Sequence, residues 1–291
     1  MSEAPKHSEA LASNDKLLML SNLIKNHVKS SKNPELLAKL FLQYRKDNVA
    51  NAFQTFKMNQ KMREELKLDN INPLDEAMKR ELLSEKFTVI QQNDQTLAIF
   101  TAKHHLPLIS NESNILKGIL YQVDAALFDE NLQTNGMIII YNMIGSKYTN
   151  FDYEMTLRLL NIFIGVYPVK IKKIYILCPP FWFRAPYRVM RLFVKEKMRD
   201  RIFLTDLASL VKSIPSNLLP TYLGGKYEHS HSDWLRVCFE RNNTNITDEY
   251  FQENLIIDNS QTSLTNTNYL RGRKSLKSYT LNRRSTVQFN N

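Results

Sequence analysis

The sequence predicts an α/β protein with a largely parallel sheet, preceded by a small helical bundle. Three observations carry that prediction. Between residues 73 and 240, short β-prone runs alternate with segments of helical period, the pattern of strand–helix–strand units. Residues 14–72 hold three amphipathic segments with polar joints. The run Met137-Ile-Ile-Ile-Tyr141 is continuously apolar, as suits a strand buried on both faces. Residues 1–13 are polar and expected to be disordered. Residues 241–291, rich in Asn, Thr, Ser, Gln and basic residues, are expected to form a largely disordered tail, with a weak helix over 248–257.

Each element follows from local pattern. Asp15 is a candidate N-cap for a helix carrying Leu17, Leu20, Leu23, Ile24 and Val28 at helical spacing. Asn33-Pro34 starts a second with Leu36, Leu37, Leu40 and Phe41, and Asn48 opens a third with Ala52, Phe53 and Phe56. Phe87-Thr-Val-Ile and Leu97-Ala-Ile-Phe-Thr, joined by Gln-Gln-Asn-Asp-Gln, read as a hairpin or two adjacent strands. A helix follows over 114–128, then the strand after Gly136. Asp152 caps a helix apolar nearly all round (Leu157, Leu159, Leu160, Ile162, Phe163, Ile164, Val166), which is expected to be well buried.

The chain is organised around residues 167–201. They read as a turn, a strand over Ile174–Leu177, a Pro179-Pro180 break, and a basic amphipathic helix. On that helix Phe183, Met190, Phe193 and Val194 share a broad apolar face, while Arg184, Arg188, Arg191, Lys195 and Arg199 fall largely elsewhere. A solvated surface helix shows the same binary pattern, so amphipathicity alone does not decide its role. Beyond it lie a short strand at Ile202-Phe-Leu, a short helix over Leu207–Val211, and turn chemistry at Leu219-Pro-Thr-Tyr-Leu-Gly-Gly225.

Composition narrows the function classes. A net charge of +10, concentrated in this stretch and in the tail, favours anionic partners: membrane phosphoinositides, nucleic acid or acidic protein. Two cysteines, Cys178 and Cys238, argue against a disulfide scaffold and fit a reducing compartment. No run approaches the ~20 apolar residues of a membrane span, and the N-terminus lacks a signal-peptide pattern, so a cytosolic, at most peripherally attached protein is expected.

Catalytic constellations are not evident. Cys178 and Arg184 have the Cys-x5-Arg spacing of a tyrosine-phosphatase loop, but two prolines remove N–H donors and no glycine is present. His104-His105 and His229-x-His231 lack further ligands at metal spacing and read as solvated loop residues. No nucleotide-binding or nucleophile-elbow motif occurs, so neither cofactor nor metal is expected. Phe181, Trp182, Phe183 and Tyr187 could stack on bases beside the basic residues. Their interleaving with Leu, Met and Val at helical period suits lipid better, which leaves nucleic acid the weaker reading.

Taken together, YPVKIKKIYILCPPFWF, the helix ending FVKEKMRDRIF, and LPTYLGG resemble the CRAL-TRIO family of lipid-binding proteins, and LLAKLFLQYRKDNVANAFQTF resembles its N-terminal helical region. The stretch MIIIYNMIGSKYTNFDYEM is most like the CRAL-TRIO domains carried by non-receptor tyrosine phosphatases. The resemblance covers roughly residues 13–240 without a phosphatase domain, which makes this chain a truncated relative, an isoform or a fragment. It implies a mostly parallel sheet flooring an apolar pocket, with a gate helix over Phe183–Lys197 contributing Phe183, Tyr187, Met190, Phe193 and Val194. It also implies that Lys170, Lys172, Lys173, Lys197 and Arg201 contact a phosphoinositide headgroup. Where the phosphatidylinositol-transfer branch places an acidic residue after Tyr-Pro, this chain has Val169. The implied function is non-enzymatic binding, or transfer, of a phospholipid or phosphoinositide in an apolar pocket by a cytoplasmic protein associated peripherally with intracellular membranes, vesicles among them. The alternative is a targeting domain that docks on phosphoinositides without extracting lipid.

Overall fold

The computed structural model describes residues 4–28 and 33–252. The chain divides at Thr244, and of the unit from Asn245 onward the described part holds one short helix, Glu249–Gln252, within the stretch where a weak helix was expected. The rest of the predicted tail lies outside the described residues.

The N-terminal bundle consists of α1 (Ala4–His27), α2 (Pro34–Tyr44) and α3 (Val49–Leu66). Asn33 and Asn48 cap the second and third, their side chains accepting from Leu36 N (3.0 Å) and Asn51 N (2.9 Å). Leu20, Ile24, Ala38, Phe41, Ala52 and Phe56 close its core, with Phe41 edge-on to Phe56. The first helix begins at Ala4 rather than at Asp15, so residues 4–13 of the segment expected to be disordered are helical. Pro5 fits a first turn, and Ser8-Glu-Ala-Leu-Ala12 contains no breaker.

After α4 (Glu76–Leu83), strands β1 (Phe87–Gln92) and β2 (Gln95–Thr101) form an antiparallel hairpin. Asn93 and Asp94 alone make the turn, both at positive φ, so the flanking glutamines join the strands. Helices α5 (Glu112–Ala126) and α6 (Glu130–Asn135) lead to β3 (Met137–Asn142), and α7 (Tyr153–Asn161) leads to β4 (Ile171–Leu177). Next come α8 (Arg184–Phe193), α9 (Glu196–Arg199), β5 (Ile202–Thr205), α10 (Leu207–Ser213) and α11 (His231–Arg241). The five strands are ordered β1-β2-β3-β4-β5, parallel from β2 onward.

Two features set the start of β4. Gly136 sits at φ +73°, where a Cβ would lie 2.3 Å from Lys170 O, so only glycine admits the approach. Met137 then pairs with Ile171 and Ile138 with Lys173, which leaves Lys172 as the extra residue of a bulge.

Ile90, Leu97, Ile99, Ile140, Tyr175 and Leu177 pack one sheet face against Leu210, Ile214 and Leu219. The other face is not filled in the same way. Ile139 and Tyr141 are half-buried, so β3 is not covered on both faces as its apolar run suggested. The helix after Asp152 is likewise less buried than expected: Leu157, Leu159 and Leu160 are half-buried, and of its nine residues only Met155 is fully so. The half-burial of Ile139, Tyr141, Leu159 and Leu160 has one cause, a cavity on this side of the sheet, whereas Leu157 borders a surface groove.

Of the two histidine pairs expected to be solvated, His105 and His231 are buried and His104 and His229 half-buried. His231 Nε2 donates to Leu82 O (2.8 Å), so its Nδ1 accepts from Thr88 Oγ1 (3.1 Å), and the Thr88 oxygen in turn accepts from His229 Nε2 (2.8 Å). This chain fastens α11 to the hairpin. His105 is fully buried with its ring against Phe100 (5.7 Å).

Candidate binding pocket

An apolar cavity lies between the sheet and α7–α8. Its volume is about 120 Å³, so the pocket is slender. Its floor is Phe100, Met137, Ile139, Tyr141, Ile174 and Ile176, residues from one face of three neighbouring strands, β2, β3 and β4. Met155, Leu159, Leu160 and Phe163 make one wall, and Phe183, Tyr187, Met190 and Val194 make the lid. The Thr156 hydroxyl is spoken for by Asp152 O (2.6 Å). Burial, with Asp152 nearby, holds the Tyr141 phenol well above its ordinary pKa. Such a lining binds by excluding water and offers little for chemistry.

The lid corrects the expected gate. Helix α8 stops at Phe193, Val194 and Lys195 are extended, and α9 starts only at Glu196, so Phe183–Lys197 is not one helix. At 100° per residue, Phe183, Tyr187 and Met190 fall on one stripe, and Val194 leaves the helix to reach the same wall. Phe193 falls about 90° from that stripe and is 65% exposed, so it does not line the pocket. Val189 and Leu192 share its outward flank, while Arg184, Arg188 and Arg191 occupy the other. Arg191 also borders the cavity, with its guanidinium carbon 5.8 Å from the Tyr187 ring centre.

The expected headgroup residues separate into two sets. Lys170 and Lys172 flank Ile171, which lines the cavity, and Arg201 donates to Ile171 O; Lys197 precedes Arg201 by one turn. Lys170, Lys172 and Arg201 thus gather around Ile171, although Lys170 is engaged with Thr134 O (3.3 Å). Lys173 does not join them. The bulge turns it to the opposite sheet face, where its ammonium lies 6.0 Å from the Tyr175 ring and 5.8 Å from the Phe203 ring. Cys178 carries a positive φ and donates its N–H to Thr205 O (2.8 Å), while Arg184 turns outward over Phe181 (4.8 Å), so the Cys-x5-Arg pair is not assembled around an anion. Among the described residues no His, Cys, Asp and Glu group could hold a metal ion.

Sequence reasoning missed the wall. The signal was available in a helix apolar all round, which can face a cavity as readily as a packed core.

Residues 83–225 match the family model of the CRAL/TRIO domain. Tyrosine-protein phosphatase non-receptor type 9 of Homo sapiens is 34% identical over 197 residues, covering 67% of this chain and 33% of that protein, so the chain spans about a third of this relative's length. Clavesin-2 of Homo sapiens is 31% identical over 138 residues, covering 44% of this chain and 41% of its own. Alpha-tocopherol transfer protein-like of Mus musculus is 29% identical over 115 residues, covering 38% and 34%. Among solved structures, Sfh5 superposes with a TM-score of 0.54 at 14% identity, over 86% of this chain and 98% of that one.

Proposed function

Since residues 83–225 are a CRAL/TRIO domain, we propose that the chain is a non-enzymatic lipid carrier that holds a phospholipid or phosphoinositide and associates peripherally with intracellular membranes. The observation that carries this reading is the slender, carbon-lined cavity closed by α8. An acyl chain there would be stabilised by roughly 25 cal/mol per Å² of apolar surface removed from water. Lys170, Lys172 and Arg201 around Ile171, with Lys197, would neutralise headgroup phosphates. Among the described residues no helix is long and apolar enough to cross a membrane.

Lipid mass spectrometry of the purified protein tests it. A stoichiometric phospholipid should co-purify and be lost in Met190→Asp, which puts a charge into the lid. A wild-type protein free of lipid would instead favour docking without extraction. That second reading has its own support in the exposed Val189, Leu192 and Phe193 beside Arg184 and Arg188.

A further inference from the structure

The pocket wall is held from outside the sheet. Helix α7 runs into a π-turn, Ile162–Val166, in which Tyr167 N–H reaches back to Ile162 O (2.8 Å). The last carbonyls of a helix find no partner in their own ladder. Here three consecutive ones are taken by the N-terminal bundle. The Tyr44 hydroxyl donates to Ile164 O (3.0 Å), Arg45 Nη2 to Gly165 O (3.1 Å) and Asn59 Nδ2 to Val166 O (3.3 Å). Arg45 is itself set by donation from Nε to Thr55 Oγ1 (2.6 Å) and by its position over the Tyr44 ring (4.7 Å).

The other side of this wall is only partly covered, by α3. Phe163, Leu159 and Leu160 face the cavity, whereas Leu157, Ile162 and Val166 border an open surface groove shared with Met58 and Met62 of α3. The wall is therefore one helix thick, and the polar strap does what a packed layer would otherwise do. A π-turn carries one residue more than an α-turn, so relaxing it would rotate the preceding turn by about 100° and carry cavity-facing leucines away.

We propose that Tyr44, Arg45 and Asn59 are positioning residues for the pocket. By holding the carbonyls of residues 164–166 they set where Leu159, Leu160 and Phe163 stand, and a bundle that lets go of the turn loosens the wall and releases the ligand. The proposal rests on the reading of the cavity as a lipid site.

The test uses the full chain loaded with a phosphatidylcholine bearing a fluorescent acyl chain, chased into phosphatidylcholine–phosphatidylserine vesicles. Tyr44→Phe with Arg45→Met should release the probe at least fivefold faster and raise hydrogen exchange over residues 156–167. Ala38→Gly, which loosens the bundle core away from the turn, should do neither at matched melting temperature. Release and exchange at wild-type values, or no higher than in Ala38→Gly, overturn the proposal. A wild type that takes up no probe defeats the lipid reading instead, and exchange over 156–167 then decides the strap by itself: no rise overturns it. Should the double variant not fold, Tyr44→Phe alone must show a smaller rise in the same direction, and its absence counts against the strap.

Discussion

His231 and His229 act as fasteners in the fold and His105 packs as a buried ring, where the sequence reads solvated loop residues. Burial drives the pKa of each down to about 4. For His105 the positive charge of Lys86 adds to this, and that lysine is bound to Glu81 in a buried pair at 2.6 Å. His231 lowers His229 further, against Glu85 and Asp233, which raise it; for His231 the Leu82 carbonyl raises and His104 lowers. An unfolded histidine titrates near 6.5, so between about pH 6.5 and pH 4 the unfolded chain binds protons that the folded chain refuses. Stability is then complete above pH 6.5 and falls as pH drops through that window, by up to about 1.4 kcal/mol per pH unit for each histidine. The more accessible His229 contributes least. Urea midpoints at pH 7.5 and pH 5 should differ accordingly, and a flat profile would dismiss the neutral-histidine account. Thr88→Val, which strips both histidines of their shared hydroxyl, should cost about 1–3 kcal/mol at pH 7.5.

At the scale of an element, α8 divides its surface three ways, and each third predicts a different failure. Tyr187 and Met190 face the cavity, the arginines form one flank, and Val189, Leu192 and Phe193 form the other. An outward apolar flank beside basic residues suits an anionic bilayer, each charge near the surface contributing ~1 kcal/mol. Leu192→Asp with Phe193→Asp should therefore abolish sedimentation with phosphatidylserine vesicles while leaving co-purifying lipid in place, and Met190→Asp should do the reverse. Added salt should weaken the wild-type vesicle binding, because exposed charges are screened within about 8 Å at physiological ionic strength. If Leu192→Asp with Phe193→Asp empties the pocket and Met190→Asp does not, the assignment of faces is inverted. Moment and charge made this helix visible in the sequence. They could not show that it ends at Phe193, because Val194 is drawn inward by the cavity rather than by its neighbours in sequence.

Across the whole molecule, what was legible was whatever a local period could encode. The bundle announced itself through Asn33-Pro34, Asn48 and the Leu20–Phe56 pattern, and the parallel order through strand–helix alternation. The cavity and the strap were not legible, since the cavity joins strands and helices from Phe100 to Val194 and the strap joins residues more than a hundred positions apart, Tyr44 with Ile164 and Asn59 with Val166. Those long-range bonds also predict how the molecule melts. With the bundle tied to the pocket wall, and Arg63 of α3 joined to Asp124 of α5 (3.0 Å), which also accepts from the Tyr167 phenol, the bundle has no route to unfold alone. Calorimetry should give one transition for the unit up to Thr244 rather than a separate early one for α1–α3. Loading the pocket should raise that single midpoint, because a ligand bound only to the folded state at 100 times its Kd adds about 2.7 kcal/mol, worth roughly 5–10 °C in a chain of this size. A resolved low-temperature bundle transition, indifferent to lipid, would show that the bundle is an appendage and that the strap carries no load.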